Sequence, residues 1–213
     1  MEVTCTMPPS SLAKSESLLK AKGAFRKHGG VLRMTEAVKA GIHRRTLYAM
    51  RDAGIIEQLS RGLYRLADAP PLGNPDLVTV ALKIPQGVVC LISALAYHEL
   101  TTQIPHQVYV AVPRNSEPPR LDYPPLRPFR FERSAFGEGI ETYTIDKVKV
   151  RIYSPEKTLA DCFKYRNKLG LDTTVEALRL YKERGKIDRT ALLRAAEACR
   201  VAKVMRPYLE AVL

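Results

Sequence analysis

The residues whose types and spacing best suit a chemical task lie between positions 35 and 62. Ala37 and Gly41 stand four apart, a small contact residue and a turn-permitting one, as two helices crossing at a tight angle require. Ile42, Leu47 and Met50 follow at offsets that point apolar side chains into a shared core. At about 100° per residue, the opposite face of the second helix carries Arg44, Arg45, Tyr48 and Asp52, with His43 and Thr46 at its start. Arginine reads guanine edges in the major groove and also grips phosphate, so this face suits duplex DNA. Arg61-Gly62 marks the tip of a following hairpin, where glycine permits the turn and arginine can enter a minor groove or touch the backbone. The competing reading is a three-helix subdomain with a solvated charged face. The hairpin, read as a wing, favours a winged helix-turn-helix with His43, Arg44, Arg45, Thr46, Tyr48, Arg61 and Gly62 as its DNA-facing residues.

Other constellations are weaker. Glu156 and Asp161, beside Lys157 and Arg151, have the chemistry of a divalent-ion site in a nuclease or nucleotidyl-transfer enzyme. Five positions apart on a helix they lie about 140° apart, so the preferred reading is a capped helix with a buried or ion-paired Asp161. His98-Glu99 is followed by threonine at 102, which excludes the metalloprotease helix motif, and His98 is read as satisfying a local hydrogen bond. Gly29-Gly30 and Gly137-Glu138-Gly139 lack the lysine of a phosphate loop. Ser154 reads as a helix cap, with Pro155 at the first helical position and Glu156 in the first turn. Cys5, Cys90, Cys162 and Cys199 form no ligand spacing and are expected to be reduced, the last three as buried filler. A second basic surface is expected from Lys147, Lys149 and Arg151 on one strand face and from Lys164, Arg166 and Lys168 at the end of the next helix. It would touch flanking DNA, an acidic protein surface or RNA, unless it is a solvated strand face plus cations favoured at a helix carboxyl end. No catalytic residue, cofactor or metal is assigned.

These residues need elements to hold them. Helix-like spacing covers Ser15 to His28, Thr35 to Ala40 and His43 to Ala53, and strand-like runs cover Ile55 to Leu59 and Leu63 to Leu66. Ala69 to Pro75 is proline-rich and reads as a linker. Beyond it come helices over Asp76 to Ile84 and Leu91 to Leu100, strands over Gln107 to Val112 and Phe129 to Glu132 around a proline-rich loop, and a hairpin from Glu141 to Tyr153 turned at Asp146. Helices are expected over Pro155 to Leu169, Thr174 to Arg184, Arg189 to Cys199 and Met205 to Val212. The fold class is therefore α+β. The expected organisation is a flexible tail at 1–14, a winged helix-turn-helix domain at 15–68, a linker at 69–75 and a mixed domain at 76–213 with a helical carboxyl half.

Charge narrows the partner class. Thirty-four Lys and Arg against 22 Asp and Glu leave the 213-residue chain at +12, and residues 1–70 alone carry 12 basic and 6 acidic side chains. Such a chain attracts polyanions before contact, and nucleic acid leads. No apolar run reaches the ~18–20 residues of a membrane span and the amino terminus has no apolar signal region, so a soluble cytoplasmic protein is expected.

The chain resembles the AbiEi antitoxins of type IV toxin-antitoxin systems, which are also transcriptional autoregulators. The blocks that carry the resemblance are Thr35-Glu36-Ala37 to Gly41, Arg44 to Tyr48, Arg61-Gly62-Leu63-Tyr64-Arg65, Ser93-Ala94-Leu95, His98-Glu99-Leu100-Thr101, Gln103-Ile104-Pro105, Val108 to Pro113 and Ser154 to Asp161. The winged-helix blocks are shared with many regulators; their combination with the Ser-Ala-Leu and Ser-Pro-Glu-Lys-Thr blocks is more specific. The resemblance implies a winged helix that binds promoter DNA and represses its own operon, and a carboxyl-terminal domain that neutralises a nucleotidyltransferase-like toxin. Two positions depart from the pattern. His43 stands where serine often caps the recognition helix, which implies a weaker cap or a contact from His43 to phosphate. Glu99 stands where glycine is common. Two other functions remain open: a metal-dependent nucleic-acid enzyme using Glu156 and Asp161, and a ligand-responsive regulator without a toxin.

Overall fold

The computed structural model describes residues 9–117, 119–185 and 187–212. Contacts divide the chain into two compact units that meet at Gly73 and Asn74. The first unit contains α1 (Pro9–Lys27), β1 (Val31–Arg33), α2 (Met34–Lys39), α3 (Arg44–Asp52), β2 (Ile56–Ser60) and β3 (Leu63–Leu66). Its antiparallel sheet runs β1-β3-β2. Ala21 and Phe25 of α1, Leu32, Ala37, Leu47, Met50, Ile56 and Leu66 close one core. The 1–14 tail is corrected in part: α1 starts at Pro9, where a proline at the first helical position loses no hydrogen bond, and residues 1–8 lie outside the described residues. β1 was not expected, because three residues between Gly30 and a helix carry no readable period. It exists through its partner, with Val31 opposite Arg65 and Arg33 opposite Leu63.

The segment after β3 is tied down at its start. The Arg65 guanidinium pairs with Glu57 at 2.5 Å and donates to the carbonyls of Ala69 and Pro70 at 2.6 and 2.5 Å.

The second unit contains α4 (Pro75–Lys83), β4 (Val88–Val89), α5 (Leu91–Tyr97), β5 (Val108–Pro113), β6 (Leu126–Phe131), α6 (Arg133–Gly137), β7 (Ile140–Ile145), β8 (Val148–Tyr153), α7 (Pro155–Lys164), α8 (Arg166–Leu169), α9 (Leu171–Glu183), α10 (Arg189–Ala198) and α11 (Ala202–Val212). The fold is α+β, with a five-stranded mixed sheet in the order β6-β5-β4-β8-β7. Alternation along the strands builds two cores. Val108, Val110, Val112, Val150 and Ile152 pack with Leu77 and Val80 of α4. Tyr109, Ala111, Phe129, Phe131 and Tyr153 pack with residues of α5, α7, α9 and α10. Pro128 sits inside β6 because that strand is at the sheet edge, where a missing N–H costs no ladder bond.

Three expectations change here. The helix expected over Pro155 to Leu169 breaks at Tyr165 into α7 and α8. Lys147 is not on the strand face: it occupies the β7–β8 turn with Asp146, both at positive φ (64° and 49°), and the strand starts at Val148. The helix expected to reach Leu100 stops at Tyr97, with Glu99 in the left-handed region at φ 55°. Glycine takes that conformation without Cβ strain, which is the physical content of the glycine common at this position.

Candidate nucleic-acid interface

The site begins with how α2 and α3 are started and stopped. Glu36 accepts a hydrogen bond from the Arg33 N–H at 3.1 Å, satisfying a donor ahead of α2. The chain leaves α2 through Gly41 at φ 80°, and the Ile42 N–H returns to the Ala37 carbonyl at 3.0 Å. A Cβ at Gly41 would meet nothing closer than 3.5 Å, so the dihedral rather than space demands glycine. His43 then takes an extended conformation, and its Nδ1 accepts from the Arg45 N–H at 3.2 Å. His43 therefore does cap α3, doing with an imidazole nitrogen what serine does with an oxygen.

The remainder of α3 separates by face. Leu47 and Met50 are buried in the first unit's core, while Arg44, Arg45 and Tyr48 are exposed and Thr46 is half-buried. Among the described residues, neither Arg44 nor Arg45 has an ion-pair partner. The structure adds a residue that the sequence reading passed over. The Arg51 guanidinium lies 5.3 Å from the centre of the Tyr48 ring and pairs with Asp52 at 2.8 Å. Its i, i+3 spacing from Tyr48 was the available signal. Asp52 thus cancels one arginine at the far end of the helix and leaves the two at its start.

The hairpin tip is a separate element of the same unit. Gly62 has φ 72° with open space where a Cβ would stand, and the pairing slips between Gln58 and Ser60. Arg61 is exposed there. The Met34 N–H donates to the Gly62 carbonyl at 2.9 Å, which ties the base of the tip to the start of α2.

The other expected positions resolve differently. Asp161 is fully buried, 2.5 Å from the Lys157 ammonium, and accepts from the Cys199 thiol at 3.1 Å. Lys157 lies 4.2 Å from the Tyr153 ring centre and 4.8 Å from that of Phe131. Burial pushes the Asp161 carboxyl above the usual range, with Lys157 and Cys199 pulling it back, and burial pushes the Cys199 thiol up to about 12. Glu156 instead accepts from the Tyr181 hydroxyl at 2.7 Å. The two carboxylates are thus committed to different partners, and among the described residues no group of three His, Cys, Asp or Glu is placed to hold a metal. Ser154 caps α7, accepting from the Lys157 N–H at 3.2 Å. His98 bonds the Tyr153 carbonyl at 2.7 Å, and burial holds its pKa below the ordinary value. Cys90, Cys162 and Cys199 are free and buried; Cys5 lies outside the described residues.

Three residues of the expected second basic surface make local contacts. Arg151 donates to the Gln86 carbonyl at 3.0 Å, Arg166 to the Phe163 carbonyl at 2.8 Å, and Lys168 lies 5.8 Å from the Tyr165 ring centre. Lys149 is exposed and Lys164 half-buried.

Residues 24–67 match the sequence model of a family described as the AbiEi antitoxin transcriptional regulators. The likeness to the AbiEi regulators rests on this segment. Its match runs from the end of α1 through β3 and so contains α2, α3 and the hairpin. A solved structure, the RV2827C protein from Mycobacterium tuberculosis, is similar in fold, with a TM-score of 0.54 at 13% identity over 96% of this chain and 82% of that one. No curated protein matches the sequence. The AbiEi-type family is one of regulators rather than of enzymes. Among the described residues, no helix is long and apolar enough to cross a membrane.

Proposed function

We propose that the protein is an antitoxin that represses its own operon, binding promoter DNA through the first unit and neutralising a nucleotidyltransferase-like toxin through the second. The observation that carries the DNA-binding half is the face of α3: Arg44 and Arg45 exposed and without ion-pair partners, on a helix whose back is fixed by Leu47 and Met50. Cations held away from intramolecular partners are available to phosphates and base edges, and each phosphate neutralised releases condensed counterions. In this reading α3 enters a major groove, Tyr48 and Thr46 contact the backbone or a base, and Arg61 with Gly62 forms the wing. His43 keeps its cap and presents its other ring nitrogen to phosphate. The AbiEi-type match over 24–67 supports the regulator role, and the resemblance of the Ser93–Leu95 and Ser154–Asp161 blocks supports the antitoxin role.

The test is binding of the purified chain to its own upstream region against a scrambled fragment of the same length. Retarded mobility with the native fragment at concentrations that leave the scrambled one free supports the reading. Equal binding to both sinks specific repression.

A further inference from the structure

The outer face of α3 does not end with its two arginines. Tyr48 follows Arg44 by four positions and Arg45 by three, so it stands on the same face one turn further along the helix. Its ring is 41% exposed and nevertheless held. The Arg51 guanidinium lies against it, 5.3 Å from the ring centre. Arg51 is fixed in turn, because its Nε and one terminal nitrogen both donate to the same Asp52 oxygen, at 3.0 and 2.8 Å.

A third group stands behind the pair. Tyr64 is buried on β3, two residues past Gly62 at the hairpin tip. Burial raises the pKa of its hydroxyl, Tyr48 adds to the rise and Arg51 opposes it, so both α3 side chains lie within electrostatic reach of the strand. Stacking and the ion pair hold the Tyr48 ring before any ligand arrives, which removes part of the ordering cost of binding. The ion pair also changes what Arg51 can do. A guanidinium already answered by Asp52 has little charge left for phosphate and releases few counterions, unlike Arg44 and Arg45. A held, exposed ring that enters a major groove meets base edges whose one apolar group is the thymine C5-methyl.

We infer that Tyr48 reads a thymine methyl of the operator through its ring, and that Arg51, held by Asp52, is the positioning residue that sets that ring. The inference rests on the reading of α3 as a major-groove helix and names the base that this reading leaves open. Tyr48 contributes sequence preference, and Arg51 acts through Tyr48 without touching phosphate.

The experiment uses the full chain and its own upstream region, with each thymine replaced in turn by deoxyuridine, which removes only the methyl group. The readout is the ratio of affinities for the thymine and uracil fragments within one protein, so a change in folded fraction cancels from it. In the parent, one or more replacements should weaken binding by about fourfold, the worth of a buried methyl. Tyr48→Phe keeps that ratio, because the ring and not the hydroxyl makes the contact, and Tyr48→Ala abolishes it. Arg51→Gln lowers the ratio while the slope of log K against log salt stays that of the parent, and Arg51→Lys, which can still stack and pair with Asp52, restores the ratio. If no uracil replacement weakens the parent, or Tyr48→Ala keeps the full ratio, the methyl contact is overturned and operator binding stands. If Arg51→Gln keeps the ratio or makes the salt slope shallower, the positioning role of Arg51 is overturned. If the parent binds native and scrambled fragments equally, the major-groove reading fails and takes the methyl contact with it.

Discussion

Arg44 and Arg45 on α3 and Lys157 in α7 are cations of two units in opposite circumstances. The arginines are exposed with no ion-pair partner among the described residues, whereas Lys157 is fully buried, paired with Asp161 and roofed by Tyr153 and Phe131. A charge left in water costs the fold little and is free for a ligand; a charge taken out of water needs its partner, and removing that partner leaves an uncompensated ion. On the proposed reading the difference separates residues available for binding from a residue kept for folding, although both are basic and both lie in blocks that carry the family resemblance.

The largest expected effect breaks the comparison on the second unit's side. Lys157→Met leaves the Asp161 carboxyl buried without its cation, and we expect a loss of about 3–5 kcal/mol in denaturant unfolding. Adding Asp161→Leu should restore much of that loss, because an apolar pair of similar volume replaces the ion pair. Operator affinity per folded molecule should not change in either variant.

Arg45→Ala is the converse. Its unfolding free energy should stay within about 0.5 kcal/mol of the parent, while binding to the operator should fall by about 1–3 kcal/mol if the side chain reads a base. Gel-shift titration beside thermal melts separates the two quantities.

How much of this was legible follows from how local each signal is. The α2–α3 pair was readable because Ala37, Gly41, Leu47 and Met50 act within one turn of one another, and positive φ at Gly41 is a property of that residue alone. β1 and β4 were not, because strands of three and two residues have no period and are created by their neighbours, Arg65 opposite Val31 and Val110 opposite Val89. α6 was missed for the same reason, and the break at Tyr165 comes from an aromatic side chain packed on Phe129 and Phe131, a tertiary cause. The angular argument on Glu156 and Asp161 anticipated their different partners, and a buried or ion-paired Asp161, but not that Lys157 would be buried with it. In the candidate interface, the exposed faces of Arg44, Arg45 and Tyr48 followed from helix geometry. The His43 cap and the Arg51–Tyr48–Asp52 cluster needed coordinates, since side-chain rotamers decide both.

A smaller effect sharpens the comparison within α3. Replacing His43 by alanine removes the acceptor for the Arg45 N–H and should cost stability at the lower end of the about 0.5–2 kcal/mol typical of caps. His43→Ser should restore stability. If His43 also meets phosphate, His43→Ser will keep the melting midpoint and still bind operator more weakly than the parent.

The smallest effect concerns pH and the second unit. Burial holds His98 below its ordinary value of 6.5, with the Tyr153 carbonyl, Glu141 and Glu156 opposing the shift and Arg184 adding to it. The unfolded chain therefore binds more protons than the folded one in the window below 6.5, and the stability His98 contributes above that pH is lost as the pH falls through it. Denaturant midpoints between pH 7.5 and 5.0 should fall less steeply for His98→Asn than for the parent; parallel curves would show that His98 is not responsible.

The central claim is that the start of α3 is a phosphate- and base-contacting surface. Its most direct test is the salt dependence of operator binding for the parent and for the double variant Arg44→Ala with Arg45→Ala. Each lost phosphate contact should lower the slope of log K against log salt by about 0.9, so the account predicts weaker binding and a slope shallower by one to two. An unchanged affinity and slope in a variant that melts like the parent would contradict it.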